Sequence, residues 1–177
     1  DNLKAIGHKA FSDCKSLSGN ISFPEGLETI AAGAFMNCTN LSSISFPSTL
    51  VTLGQENGTL YSDGAFANCT GLCCEIVIPE KMKSIGPNTF RGDDGLYGQI
   101  YLPESLRFLG EAAFRGCNGL SGSLKIPHKI CQIPDECFQG CGFVGTLTLH
   151  DGITSIGTRA FSDCYFKGGI SLPSQLE

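Results

Sequence analysis

A phenylalanine recurs along the whole chain at an almost constant spacing, and this recurrence constrains the fold more than any other feature. Successive members lie 24, 31, 24, 24, 24 and 23 residues apart, and the long interval reflects a seven-residue insertion around Gln55–Asp63. The ladder phenylalanines are Phe11, Phe35, Phe66, Phe90, Phe114, Phe138 and Phe161. A fixed period of about 20 to 50 residues is the signature of a repeat architecture. The sequence therefore predicts a stack of similar units.

Other positions keep the same register. A cysteine follows each ladder phenylalanine by three residues, except that Asp93 stands there in the fourth unit. Further on comes a pair of apolar residues separated by one residue, and a proline closes every pair except the sixth, which His150 closes. A second apolar pair, Leu-x-x-Ile, follows and is usually succeeded by Gly. The alternating pairs are Ile21/Phe23, Ile44/Phe46, Ile76/Ile78, Ile100/Leu102, Leu124/Ile126, Leu147/Leu149 and Ile170/Leu172.

Each set of positions predicts a local structure. The alternating pair places two apolar side chains on one face, as in a half-buried strand, and proline ends the strand because it has no N–H to donate. Leu-x-x-Ile suits a short extended segment, and the Gly after it suits a turn. Ala-Phe-x-x-Cys predicts one helical turn, because residues i, i+1 and i+4 lie close together on a helix. One unit cannot bury its apolar side alone, so we expect a solenoid of stacked units.

This repeat pattern resembles that of a known family. The chain resembles the BspA-like (Treponema pallidum-type) leucine-rich repeat over essentially its whole length, through the pattern Leu-x-x-Ile-x-Phe-Pro-x-x-Leu-x-x-Ile-Gly-x-x-Ala-Phe-x-x-Cys-x-x-Leu. The resemblance implies an α/β fold: a right-handed leucine-rich-repeat solenoid of about seven repeats. Short parallel strands would stack into a sheet, with helical turns and loops on the other side. We expect residues 1–177 to form a single domain of a longer protein. The departures from the pattern are Asp93, Pro134, Cys137 and His150.

The resemblance also implies a function. Members are mostly surface-exposed or secreted proteins of gut and oral bacteria and of some parasitic protists, and they are associated with adhesion to host proteins or other microbes. They share no catalytic or metal-ligand residues. We therefore expect a non-catalytic protein-binding or adhesion module at a microbial cell surface or in the extracellular space, without a cofactor. The alternatives are a structural spacer and an intracellular scaffold repeat without its own ligand.

Composition argues against several other classes. The formal net charge of −5 disfavours a nucleic-acid binder, which would present basic patches. No apolar run approaches the roughly 18 residues of a membrane span, so we expect no membrane insertion in this segment. No nucleophile–base pair can be nominated, which argues against an enzyme. We expect a monomer unless the ends stack. Stacking is the exception because neither end shows the polar cap that is usual for terminal repeats.

The ten cysteines are the unusual count in the composition. Six of them share the one ladder position, and free cysteine in a core behaves as a small apolar residue. Cys137 takes a position that Ala fills in five of the other six units, whereas Cys73, Cys74 and Cys131 have no packing role in the repeat. A disulfide framework is the rival interpretation, but a core of this size does not need staples. A zinc site is a further alternative, built from His128, Cys131, Cys137 and Cys141.

Outward residues beside the alternating pairs form the natural binding row of such a solenoid. In the end units these residues are Ser, Thr, Asn and Gly, whereas larger side chains occupy the middle. Because adjacent strands lie about 4.8 Å apart, we predict one contiguous recognition patch. Its members are Glu75, Val77, Gln99, Tyr101 and Lys125. The simpler interpretation is a solvated strand face without a partner. The insertion with Leu60 and Tyr61 is a second candidate.

Two short motifs also suggest ligands or modification. Residues 91–95 read Arg-Gly-Asp-Asp-Gly, which resembles an integrin-type tripeptide or a cation loop, and the plainer interpretation is a turn in which Asp93 replaces cysteine. Five Asn-x-Ser/Thr sequons would matter in a secreted eukaryotic protein. They begin at Asn20, Asn37, Asn40, Asn57 and Asn68.

Overall fold

Short parallel strands stacked from coil to coil form the framework of the protein. The structure, a computed structural model, describes residues 2–54 and 63–174. All strand pairings in these ranges are parallel, as expected for successive coils of a solenoid. The strands are β1 (Ala5–Ile6), β2 (Gly19–Ser22), β3 (Thr29–Ile30), β4 (Leu41–Ser45), β5 (Thr52–Leu53), β6 (Ser84–Ile85), β7 (Phe108–Leu109), β8 (Leu124–Lys125), β9 (Gln132–Ile133), β10 (Leu147–Thr148) and β11 (Ser155–Ile156).

The largest sheet comes from the Leu-x-x-Ile segments. Its order is β1-β3-β5-β6-β7, and β9 pairs with β11 in a separate sheet. The register keeps the last apolar residue of each segment opposite its counterpart, so that Ile30 pairs with Leu53 and Ile85 with Leu109. These positions are buried, and a one-residue slip would turn their side chains away from the core. The prediction of stacked short parallel strands is therefore confirmed.

The alternating apolar pairs form a less regular ladder. Two small sheets, β2 with β4 and β8 with β10, contain four of these segments. In the middle of the chain the ladder is reduced to isolated parallel bridges, Glu75 to Tyr97 and Gly98 to Leu120. The buried residues Ile76 and Ile100 still face the core there, so the segments stay extended without continuous strand pairing.

Pro134 interrupts the largest sheet between β7 and β9. Elsewhere the residue that follows the strand donates its N–H to the preceding coil, and proline has no N–H to donate. The coils nevertheless stay stacked, because the N–H of Phe114 donates to the carbonyl of Cys137 at 2.9 Å. The bonds that Pro134 cannot reproduce are, in the other coils, Gly54 N to Ile30 O (2.8 Å), Gly86 N to Leu53 O (2.7 Å), Gly110 N to Ile85 O (2.8 Å) and Gly157 N to Ile133 O (2.7 Å).

The predicted helical turn is not confirmed, because the described residues contain no helix. The Ala-Phe-x-x-Cys segments form successive reverse turns, as in the bonds from Ser12 N to Lys9 O and from Cys14 N to Phe11 O. In six of the seven units, φ is positive both two residues before and two residues after the ladder phenylalanine. A residue in the left-handed region cannot continue an α-helix. In the first unit Asp13 (φ 60°) therefore ends the segment as a turn, and the equivalent residue does so in the other units.

The ladder phenylalanines stack face to face through the core. Their ring centroids lie 5.1 to 5.9 Å apart with interplanar angles of 0° to 22°. Phe66, Phe90, Phe114 and Phe138 are fully buried, whereas Phe11 in the first coil is 43% exposed. Large aromatic side chains dominate the burial of apolar area, so this column is the spine that orders the surface segments around it.

Candidate binding surface

The structure exposes every residue of the predicted recognition patch. Val77 is 79% exposed and Tyr101 is 72% exposed, which are high values for large apolar or aromatic side chains. The residue before each of Val77, Tyr101 and Lys125 points inward. These residues, Ile76, Ile100 and Leu124, are buried and hold the backbone against the core. The predicted set, all of it in the exposed class, is Glu75, Val77, Gln99, Tyr101 and Lys125.

Three members of that set surround one shallow depression of about 210 Å³. Gln99, Tyr101 and Lys125 line it, and the Gln99 side-chain amide donates a hydrogen bond to the carbonyl of Ser123 at 3.1 Å. This bond fixes the Gln99 side chain between two coils, beside the Tyr101 ring. Other residues also form its walls, namely Ile100, Leu102, Glu104, Ser123, Leu124 and Thr148.

Glu75 and Val77 lie on the preceding coil and do not line this depression. Glu75 pairs with Tyr97 and not with Gln99, because the ladder register shifts at this point. Gly98 has a φ of +84°, and a Cβ at this position would lie 3.0 Å from Cγ of Glu75. The Glu75 side chain therefore crosses over Gly98, and the patch divides into the depression and the flanking Glu75–Val77 segment.

Glu104 joins Lys125 to His128 at the edge of the depression, a cluster that the sequence did not indicate. Lys125 Nζ lies 2.8 Å from Glu104 Oε1, while the backbone N and ring Nδ1 of His128 both lie 3.2 Å from Glu104 Oε2. The bond from Lys125, and then the bonds from His128, lower the pKa of Glu104 to about 2. The only available signal was that Glu104 and His128 each follow a proline that closes an alternating pair.

His150, which replaces one of those prolines, is half-buried and supports the turn that contains His128. The two imidazole rings stack with centroids 5.0 Å apart. His150 Nε2 lies 3.1 Å from the carbonyls of Pro127 and Ile130, and its Nδ1 accepts from Gly152 N at 3.1 Å. These partners assign the Nε2–H tautomer.

The ladder cysteines fill the core as free thiols. All ten cysteines are unpaired, and five of them, Cys38, Cys69, Cys117, Cys137 and Cys141, are buried. Burial raises the pKa values of these five thiols, which keeps the sulfurs neutral. The packing interpretation therefore holds for the middle of the ladder and for Cys137. Cys14 in the first coil is exposed, as are Cys73 and Cys131.

Several alternative sites lack the required geometry. The described residues contain no group of three or more His, Cys, Asp or Glu side chains arranged to hold a metal ion. Asp93 is fully buried, so the Arg-Gly-Asp tripeptide does not present its carboxyl group to a receptor. The insertion with Leu60 and Tyr61, and the sequon at Asn57, lie outside the described residues. Within residues 2–54 and 63–174 no helix is suited to spanning a bilayer.

Two further concavities flank the solenoid. A groove of about 670 Å³ follows the interrupted sheet and includes Arg107, Lys129, Cys131 and Pro134. An apolar recess of about 440 Å³ opens at the first coil, where Leu3 and other core positions are accessible to solvent. Neither contains a residue of the predicted patch.

Parallel strands stacked at one repeat spacing around a phenylalanine spine define the class of leucine-rich-repeat proteins. Such repeat modules generally mediate protein–protein interactions and are generally non-enzymatic. The chain belongs to the family described as the BspA type leucine rich repeat region, whose model matches residues 1–92 and 58–177 with six copies. The resemblance inferred from the repeat pattern is thus confirmed.

Solved structures of other leucine-rich-repeat proteins have the same architecture. A T. pallidum leucine-rich-repeat protein is 30% identical with a TM-score of 0.74, over 92% of this chain and 70% of that one. One from Bacteroides ovatus is 25% identical with a TM-score of 0.63, over 98% of this chain and 48% of that one. The pneumococcal vaccine antigen PcpA shares the fold. It is 20% identical with a TM-score of 0.53, over 89% of this chain and 35% of that one. No match was found among curated proteins.

Proposed function

We propose that this chain is a non-catalytic protein-binding or adhesion module of a microbial cell-surface or secreted protein. Its ligand is a host or microbial surface protein, and the contact face is the patch of Glu75, Val77, Gln99, Tyr101 and Lys125. The observation that carries the proposal is the position of Tyr101, which is 72% exposed beside the depression while the adjacent Ile100 is 2% exposed. A large aromatic side chain is thus presented to solvent from a fixed backbone.

The chemistry of the patch suits recognition of a protein. Tyrosine supplies a large contact area with few rotatable bonds, and Val77 adds an exposed apolar side chain on the neighbouring coil. The ion pair between Lys125 and Glu104 borders this centre with charge. Binding energy in protein interfaces concentrates in a central aromatic anchor with a polar rim, and the patch has both parts.

The family supports a surface role for the protein. BspA-type repeats resemble those of surface-exposed and secreted adhesion proteins, which supports our proposal that the chain acts at the cell surface or outside the cell. We further propose that residues 1–177 act as a single solenoid domain and as a monomer. The chain spans 70% of the T. pallidum relative and 48% of the B. ovatus relative. Activities of a whole longer protein would therefore add to the binding role proposed for this segment.

A binding screen tests the proposal. The purified chain is immobilised and exposed to a panel of extracellular host proteins and to detergent extracts of microbial envelopes, with another leucine-rich-repeat solenoid as the reference surface. We expect saturable binding to a protein that the reference surface does not retain. Absence of such binding, together with surface display of the full-length protein, would support the structural spacer. Protection of the chain from protease added to intact cells would support an intracellular scaffold.

A further inference from the structure

The ladder cysteines share one hydrogen-bonding arrangement. Each thiol in this arrangement donates to the carbonyl of the ladder phenylalanine in the preceding coil, at 3.1 to 3.2 Å. The same sulfur accepts a hydrogen bond from the backbone N–H of the residue that holds the cysteine position in that preceding coil. The position therefore requires a side chain that is both donor and acceptor. The donor–acceptor pairs are Cys38–Phe11, Cys69–Phe35, Cys117–Phe90, Cys141–Phe114 and Cys164–Phe138.

Asp93 occupies this position in the fourth unit and makes one of the two hydrogen bonds, the one in which the side chain is the acceptor. Its Oδ1 accepts the N–H of Cys69 at 2.8 Å, which reproduces the acceptor role of the sulfur. Its Oδ2 is buried and has no hydrogen-bond partner among residues 2–54 and 63–174. By register, the group that lacks its usual donor is the carbonyl of Phe66, the ladder phenylalanine of the preceding coil. An ionised carboxylate can only accept, whereas a protonated carboxyl has one O–H donor.

We infer that Asp93 is a neutral carboxylic acid in the folded chain, and that its hydroxyl group replaces the thiol as hydrogen-bond donor to the carbonyl of Phe66. With this proton in place both oxygens serve the roles that the sulfur serves in the neighbouring coils. The substitution of aspartate for cysteine then preserves the ladder.

In the part of the chain that the structure describes, Asp93 has no compensating cation. The titratable groups that act on it or respond to it are the thiols of Cys69, Cys74 and Cys117 and the carboxyl group of Asp94. No ion pair to Asp93 occurs among residues 2–54 and 63–174. Burial raises its pKa well above the ordinary value, the Cys69 N–H opposes this, and the charge of Asp94 adds to it.

A buried neutral acid makes the central coil more stable in acid. The unfolded chain releases the Asp93 proton above about pH 4, whereas the folded chain retains it. Its stabilising contribution is thus complete below the unfolded pKa and declines as pH rises toward the folded pKa. In that window the equilibrium constant for unfolding should rise tenfold per pH unit from this group alone. The affected coil is the one that carries Gln99 and Tyr101.

Chemical denaturation from pH 4 to pH 7.5 tests the inference on the wild type, Asp93→Asn and Asp93→Cys. Asparagine mimics the neutral acid with a carbonyl oxygen as acceptor and an uncharged NH₂ group as donor, and cysteine restores the ladder. The ratio of the wild-type unfolding constant to that of either variant should rise by up to tenfold per pH unit. Parallel curves for wild type and variants would overturn the inference, because they would mean that Asp93 titrates alike in both states.

A direct readout does not depend on whether the variants fold. Infrared difference spectra of the folded wild-type chain in H₂O and D₂O at pH 7 should contain the carbonyl stretch of one protonated carboxyl group. Carbon-13 labelling of aspartate should shift that band, and carbon-13 labelling of glutamate should not. Absence of a protonated aspartate band at pH 7 would overturn the inference.

Discussion

The thiol of Cys117 donates a hydrogen bond to the carbonyl oxygen of Phe90 in the preceding coil, with 3.2 Å between sulfur and oxygen. The sulfur is fully buried, and it also accepts the N–H of Asp93. Five of the ten cysteines, which the composition alone would suggest as disulfide partners, are therefore hydrogen-bonded links between successive coils. Each link depends on a neutral thiol and not on a bond between two sulfurs.

Replacing Cys117 by alanine tests the energetic weight of one link. Cys117→Ala removes a buried sulfur, leaves a small cavity and takes one donor from the Phe90 carbonyl. We expect the free energy of unfolding to fall by about 1 to 3 kcal/mol in urea denaturation. Cys14→Ala is the matched control, because Cys14 is the exposed member of the same ladder, and it should change stability by less than about 0.5 kcal/mol. Equal losses in the two variants would contradict the account of the ladder.

Counting reactive thiols tests the oxidation state of the whole set. In the folded chain the exposed thiols of Cys14, Cys73 and Cys131 should react quickly with a thiol reagent. The buried thiols, whose pKa values are raised, should react slowly. In denaturant without reductant all ten should react. A denatured count well below ten would reveal disulfides and refute the packing interpretation.

The titration of Glu104 tests the charged edge of the patch. Because the Lys125 and His128 bonds favour its ionised form, its pKa should be about 2 when the carboxyl carbon is followed by NMR. The folded pKa is below the unfolded one, so the stabilisation is present above the unfolded pKa and is lost as pH falls through about 2. Lys125→Ala should raise the Glu104 pKa. An unchanged pKa in that variant would mean that the ion pair does not form in solution.

The repeat period predicted the ladders and most of the core because every coil must place the same residues inside. The helical turn is not confirmed, because the spacing of Ala, Phe and Cys fits both a helix and a series of reverse turns. A signal was present: the residue two after each ladder phenylalanine is Asp, Asn or Gly, the types that tolerate positive φ. Asp13, Asn37 and Gly92 are examples.

The site was only partly accessible to sequence reasoning. The exposure of Val77 and Tyr101 follows from strand alternation, which is local. The contact between Glu104 and His128 spans 24 residues and depends on how two turns stack, which the alternation does not specify. Likewise, Pro134 was visible as a departure from the pattern, but its consequence, a gap in the sheet between β7 and β9, required the neighbouring coil.

Affinity measurements on patch variants test the central claim most directly. With the partner captured by the chain in the binding screen, the double variant Tyr101→Ala/Lys125→Ala should bind at least about tenfold more weakly, because it removes the aromatic anchor and a charge beside it. The control Ser43→Ala/Ser45→Ala alters the same outward row in the second coil, away from the patch, and should leave affinity within about twofold. Unchanged affinity in the Tyr101/Lys125 variant, with its fold intact by circular dichroism, would contradict the assignment of this face as the binding surface.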